Sequence, residues 1–217
     1  MSNLEEKVES KESKGFIAKA GKLLWKTGMA AATTALSVAT VGSLGIWVGS
    51  AFALGGTIAN LAKGKSLYDS FSEGLTTYSA VNIVIYPMVL LGDLTFPLIP
   101  NYNFIGQAAR AVYAATIYNA AFVSTFRGAG HLVDNYMNPK GITKTIGDGF
   151  AQKWFEVGAT FSPFYALAAN GYTGINFGSL TIPTFAVGAL PVGFVLDYFL
   201  GKKKQPNGYA PAHAGAH

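Results

Sequence analysis

Residues 74–92 read GLTTYSAVNIVIYPMVLLG and contain no Asp, Glu, Lys or Arg. This stretch decides the fold, because about 20 apolar residues are what an α-helix needs to cross a bilayer. Four more uncharged runs follow the same pattern, at 27–62, 94–109, 111–126 and 157–196. Half of the 217 residues are hydrophobic and only 12% are charged, which is about half the charged share of a soluble domain. The sequence predicts a membrane protein.

The spanning elements are expected to be helices. Only helices and closed barrels satisfy their backbone polar groups in lipid, and the uncharged runs lack the alternation of barrel strands. We predict an all-α fold, a polytopic membrane helical bundle with a four-span core preceded by a Gly/Ala-rich helical hairpin. The net charge of +5 does not indicate nucleic-acid binding, because the Lys and Arg residues border the apolar runs.

Turn residues divide the chain into segments. The segment 93–103 contains Pro97 and Pro100, and residues 170–174 read NGYTG inside a run that is too long for one crossing. Spans are therefore expected near 74–92, 104–126, 155–170 and 177–199. The predicted domains are a cytoplasmic basic tail with an interfacial helix (1–26), a glycine-rich membrane hairpin (27–62), the four-span bundle (63–204) and a disordered tail (205–217).

The positive charges favour a hairpin at 27–62. If this segment returns to its starting side, every Lys and Arg of the tails and loops lies on one side of the membrane, and only Arg110 lies within a span. The positive-inside rule then places both termini in the cytoplasm. A shallow re-entrant hairpin is the alternative geometry, since 36 residues (27–62) are few for two full crossings.

Polar residues inside spans need a physical reason, because they are costly in lipid. Asn82 and Asn119 lie in the middle of two spans, and Ser162 precedes Pro163 in a third. Together with Arg110 they are the candidate substrate-binding residues. The alternative is that the two asparagines hold helices together through hydrogen bonds.

Charged residues near the span ends form a second candidate set. Asp93 and Arg110 are expected at the outer surface, where they would form either a structural ion pair or a substrate or proton site. Three residues at the inner span ends are expected to form either a gate network or an ordinary interfacial cluster: Arg127, Glu156 and Asp197.

Small residues in the hairpin favour close helix contacts. Gly42, Gly45 and Gly49 would serve either an interface between two copies of the chain or packing within it. The chain has no cysteine, and its glycines form no phosphate loop or dinucleotide fingerprint. We therefore expect no enzyme activity, no cofactor and no metal site.

The region 75–204 resembles the bacterial L-alanine exporter family of small four-span inner-membrane proteins. The resemblance consists of an ordered set of short stretches: YSAVN at 78–82, the pair Phe126 and Arg127, NPKG at 138–141, FSPFYA at 161–166 and GFVLDYF at 193–199. The hairpin at 27–62 has no counterpart in the short members of that family. The resemblance implies export of a small neutral amino acid, driven by the proton gradient.

A non-transporting membrane scaffold or assembly subunit is the alternative function, with the glycine-rich hairpin as its interaction surface. Polar residues that face one shared cavity would favour transport of a small-molecule substrate. The same residues distributed among separate helix pairs would favour the scaffold.

Overall fold

The computed structural model describes residues 2–172, 174–177, 180–196 and 198. In this part of the chain the fold is mainly helical, as predicted. Its eight α-helices are α1 (Ser2–Val41), α2 (Leu44–Ala62), α3 (Leu67–Thr95), α4 (Phe104–Tyr113), α5 (Asn119–Asp134), α6 (Ile142–Gly147), α7 (Phe150–Ala169) and α8 (Thr184–Val195). A 3₁₀ turn, Phe96–Leu98, follows α3, and a π-helical segment, Ala114–Tyr118, joins α4 to α5.

Two of the described helical segments are long and apolar enough to cross a membrane. They are Leu44–Ala62 and Leu67–Leu98, the second of which contains the decisive stretch 74–92. Ser66 begins α3 as its N-cap, because its hydroxyl accepts a hydrogen bond from the backbone N–H of Asp69. Pro87 lies inside this helix.

The glycine-rich segment forms a helical hairpin. Gly42 has a φ of +64°, a left-handed conformation that glycine adopts without steric cost, and the chain reverses there between α1 and α2. The first arm is longer than predicted, since α1 begins at Ser2 and runs through residue 26 without a break. Its first turns are rich in Glu and Lys, which are strong helix formers.

The segment between α7 and α8 differs from the prediction. The expected turn at 170–174 is followed by two short antiparallel strands, β1 (Gly174–Phe177) and β2 (Leu180–Pro183), in which Ile175 pairs with Ile182. These strands contain β-branched residues, which favour extended backbone. The last helix consequently begins at Thr184 and not at 177.

The core lies around α2, which packs against both α3 and α8. Phe52 of α2 stacks on Phe161 of α7, with ring centroids 5.5 Å apart, and on Phe122 of α5 at 6.4 Å. Gly55 of α2 lies against the backbone of α8 at Leu190, where a side chain would collide. The hairpin is thus an integral part of the bundle.

Candidate functional site

A polar cavity of about 200 Å³ lies between α2, α3 and α5. Its lining combines two glycines with hydroxyl, amide and carboxylate groups, from Gly56, Asn60, Glu73, Gly74, Thr76, Thr77 and Asp134. A water molecule takes up about 30 Å³ in the liquid. The cavity therefore has room for a small polar solute.

Asp134 contributes one carboxylate of the cavity and is bound from two helices. The Nζ atom of Lys26 lies 2.6 Å from its Oδ1 atom, and the hydroxyl of Thr76 donates to the same oxygen at 3.0 Å. The Lys26 side chain is only 2% exposed, whereas that of Asp134 is 45% exposed. A buried ammonium needs such a partner, because desolvation of an unpaired charge is very costly.

Glu73 contributes the second carboxylate. Its Oε2 atom accepts hydrogen bonds from Nδ2 of Asn60 at 2.8 Å and from Nζ of Lys65 at 2.7 Å. Asn60 is buried at the end of α2, and Lys65 lies in the short loop before α3. Each carboxylate of the cavity thus holds one lysine ammonium of the chain.

Asn82 lies apart from this cavity, at the contact of α3 with the hairpin. It is 1% exposed, and its Nδ2 atom donates to the carbonyl of Tyr78 in its own helix at 2.9 Å. A Cβ added at Gly45 would lie 2.6 Å from Oδ1 of Asn82 and would collide with the hydroxyl of Ser37. A Cβ at Gly49 would lie 2.9 Å from Nδ2 of Asn82. Gly45 and Gly49 therefore admit these polar side chains to the helix contact.

Asn119 lies in a different helix contact. It is completely buried, and its Nδ2 atom donates to the carbonyl of Trp154 in α7 at 2.7 Å. The indole of Trp154 donates back to the carbonyl of Thr116 at 2.9 Å. Gly158 keeps the two helices close, since a Cβ there would lie 3.0 Å from the same amide nitrogen. Asn119 thus joins α5 to α7.

Ser162 and Pro163 lie on the outer side of α7. The hydroxyl of Ser162 donates to the carbonyl of Ala159 in the same helix at 3.2 Å, and Pro163 is exposed. The structure therefore places Asn82, Asn119 and Ser162 in three separate surroundings. The hydrogen bonds given above join none of these three residues to another of them.

At the opposite end of α3, Arg110 binds a backbone group. Its Nε atom donates to the carbonyl of Ile99 at 2.6 Å, which fixes the loop between α3 and α4. The ion pairs among the described residues are Lys26 with Asp134, Lys65 with Glu73 and Lys153 with Glu156. Asp93 is exposed, and it is not a partner in any of these three ion pairs.

Two of the three residues predicted at the inner span ends are described by the structure, and they have separate partners. Glu156 is buried and binds Lys153 at 2.8 Å and Gln152 at 2.6 Å, both in its own helix. Arg127 donates through Nη2 to the carbonyl of Asp148 at 2.5 Å. Asp197 lies outside the described residues.

The two cavity carboxylates, and the Lys26 ammonium that binds one of them, are not among the residues predicted from the sequence. Lys26, Glu73 and Asp134 each border an uncharged or weakly charged run, and a search for opposite charges at the same predicted membrane depth would have found them. The sequence alone does not show that α1 packs against α5.

No protein family, characterised protein or solved structure matches this chain.

Proposed function

We propose that this chain is an integral protein of the cell (inner) membrane that exports a small neutral amino acid, such as alanine, with the proton gradient as the driving force. The observation that supports this proposal is the polar cavity of about 200 Å³ between α2, α3 and α5. Its lining offers carboxylate, amide and hydroxyl groups within a small volume, which is the chemistry that a small polar solute needs. Alanine is the first solute to test, because the region 75–204 resembles the alanine exporters.

The cavity has groups for both ends of a zwitterion. The carboxylates of Glu73 and Asp134 and the hydroxyls of Thr76 and Thr77 suit the ammonium group of an amino acid. Donors for its carboxylate are the amide of Asn60 and the ammonium of Lys65, which already lie together at Glu73. A solute would replace these internal hydrogen bonds with its own.

In the proposed topology the chain crosses the membrane six times. The hairpin of α1 and α2 precedes four spans, which are α3, the continuous segment from α4 to α5, α7 and α8. This arrangement puts every Lys and Arg of the loops and tails in the cytoplasm and leaves Arg110 in the outer half. The cavity then opens near the cytoplasmic surface, where an exporter collects its substrate.

Asn82 lies outside the cavity lining, farther from the proposed cytoplasmic surface. It follows Thr77 by five residues on α3, which is about 7.5 Å along a helix. Pro87, Pro163 and Pro191 lie inside α3, α7 and α8, where each frees a carbonyl and permits bending. We assign Asn119 and Ser162 to helix packing.

The proposal is tested by alanine accumulation in cells that lack their own alanine exporters and are fed an alanine dipeptide. Expression of this chain should lower intracellular alanine, and the Glu73→Gln variant should lose that effect. Asp69→Asn is the matched control, because Asp69 is an exposed carboxylate of α3 outside the cavity lining. Unchanged alanine with confirmed membrane insertion of the wild-type chain would reject alanine export.

A membrane assembly subunit is the second candidate function. It is favoured by one observation, that Asn82 and Asn119 are each used in a separate helix contact. This candidate predicts that solute content does not depend on the chain or on Glu73. Gly45 and Gly49 already pack within the chain, so the interface between copies would need other residues of the hairpin, such as Gly42.

A further inference from the structure

We propose that Lys26 is a latch, which fastens α1 to the wall of the cavity and is released when a solute ammonium takes its place on Asp134. This inference rests on the proposed use of the cavity as a solute site. It concerns a residue of α1 that does not itself line the cavity.

The latch joins three helices at one nitrogen atom. Nζ of Lys26 in α1 contacts Oδ1 of Asp134 in α5 at 2.6 Å and donates to the backbone carbonyl of Ser72 in α3 at 3.1 Å. An ammonium has three donors and no acceptor, so acceptors from separate helices hold these helices together. The lysine end of this contact is buried, because the Lys26 side chain is only 2% exposed.

A neighbouring residue makes the same connection. The indole Nε1 of Trp25 donates to the carbonyl of Val133 at 2.8 Å, and its ring lies 5.4 Å from the ring of Tyr136. Two consecutive residues of α1 thus bind the last turn of α5. The connection between these two helices is mainly polar, and it depends on a few specific hydrogen bonds.

The carboxylate side of the contact is open to the cavity. Asp134 is 45% exposed and lines the cavity together with Thr76, which donates to the same oxygen. A solute that carries a primary ammonium presents the same chemical group as Lys26. It can therefore bind Asp134 in place of Lys26. The displaced ammonium also gives up the Ser72 carbonyl and is hydrated as α1 separates from α3 and α5.

The outer face of α1 near the latch makes few contacts that would oppose its movement. Phe16, Ile17 and Leu24 are 74%, 65% and 76% exposed, so these side chains face away from the bundle. The hydroxyl of Tyr68 donates to the carbonyl of Lys19 at 2.7 Å, and Nζ of Lys19 lies 5.7 Å from the centre of the Tyr68 ring. Farther along α1, the hydroxyl of Thr34 lies 2.8 Å from that of Tyr78 in α3. Release of Lys26 leaves these contacts with α3 as the hinge.

Lys65 provides a matched comparison. It binds the other cavity carboxylate, Glu73, at 2.7 Å, but it lies in the loop between α2 and α3 and connects only neighbouring segments. Lys65 is 29% exposed and Lys26 only 2%, but both ammonium groups bind a carboxylate of the cavity. Loss of Lys65 removes a charged hydrogen bond without detaching α1. A latch therefore predicts that only loss of Lys26 changes the position of α1.

The first test uses the absence of cysteine in the chain. Thr77→Cys places one thiol on the cavity wall, and its reaction rate with a small, water-soluble thiol reagent is measured in inside-out membrane vesicles. Lys26→Gln should raise this rate by roughly tenfold, because loss of a charged hydrogen bond favours the open state. Lys65→Gln should change the rate far less. Equal rates for the two variants, or no increase with Lys26→Gln, would overturn the latch.

A second test reads the position of α1 directly. Spin labels at Leu24→Cys and Met137→Cys report the distance between α1 and the segment after α5 in the purified full-length chain. Lys26→Gln, or Asp134→Asn if the first variant does not fold, should shift the distance distribution to longer values without solute. An unchanged distribution would overturn the latch. If these variants shift the distance but alanine does not, the latch holds and the proposed solute is wrong.

Discussion

The ammonium of Lys26 lies 2.6 Å from the carboxylate of Asp134, and this ion pair joins the first helix of the hairpin to the end of α5. The sequence predicts that Lys26 lies in the tail and its interfacial helix. In the structure Lys26 is buried, and its ion pair with Asp134 connects it to the cavity lining. This ion pair therefore connects the hairpin to the rest of the bundle.

Removal of one partner of this ion pair should destabilise the fold. Asp134→Asn leaves the buried Lys26 ammonium without its counter-ion, and the cost is expected to approach about 3 kcal/mol, below the range for fully buried pairs because the Asp134 side is half exposed. The thermal unfolding midpoint in detergent measures this effect. The double variant Lys26→Met with Asp134→Asn should lose less than the two single losses added together, and additive losses would contradict the pairing.

Gly45→Ala should disrupt the contact between the hairpin and α3. The added methyl group would lie 2.6 Å from Oδ1 of Asn82 and would overlap Ser37, so we expect a loss of roughly 1–3 kcal/mol from overpacking. Gly28→Ala is the control, because a Cβ at Gly28 meets nothing within 4 Å. That substitution should leave the unfolding midpoint unchanged or raise it, since alanine favours helix. A neutral Gly45→Ala would show that α2 does not approach α3 as described.

Asn119→Ala should lower stability, whereas Ser162→Ala should have little effect. The first substitution removes the hydrogen bond from the buried Asn119 amide to the carbonyl of Trp154, at a cost of about 0.5–1.5 kcal/mol. The second removes only a hydrogen bond within α7. Unfolding midpoints of both variants, measured at equal expression, provide the comparison. Equal midpoints would argue against the assigned packing role of Asn119.

The helical fold class, the helical hairpin over 27–62 and the long apolar helix over 74–92 could be predicted because they depend on local sequence. The length of an uncharged segment determines whether it can cross a lipid bilayer, and a glycine favours the position at which the chain reverses. The β1–β2 hairpin was missed because its eight strand residues lie inside an uncharged run that hydropathy alone assigns to a helix. Its β-branched residues are the local signal for extended backbone.

The cavity could not be predicted because its residues come from three helices and two distant parts of the sequence. Asn60, Glu73 and Asp134 meet only after α2, α3 and α5 pack together. Asn82 and Asn119 were easier to notice, since an amide inside an apolar run is conspicuous. A polar residue in a span, however, serves packing as often as binding, and both amides bind neighbouring helices or their own.

The proposed topology places both termini in the cytoplasm. Reporter domains fused to residues 1 and 217 should therefore show the same, cytoplasmic location, because all loop and tail lysines and arginines then lie on that side. The control is a reporter inserted near residue 101, in the loop between α3 and α4, which should be external. Termini on opposite faces would contradict a hairpin of two full crossings.

Alanine flux through the purified full-length chain in proteoliposomes measures directly whether the chain transports alanine through the cavity. Vesicles loaded with labelled alanine should lose the label faster with the wild-type chain than without it when the proton gradient is applied. Glu73→Gln, which changes a cavity carboxylate, should reduce this flux by at least about tenfold, while Asp69→Asn should keep it. Equal efflux with the wild-type chain, the Glu73→Gln variant and empty vesicles, despite correct insertion, would contradict transport through this cavity.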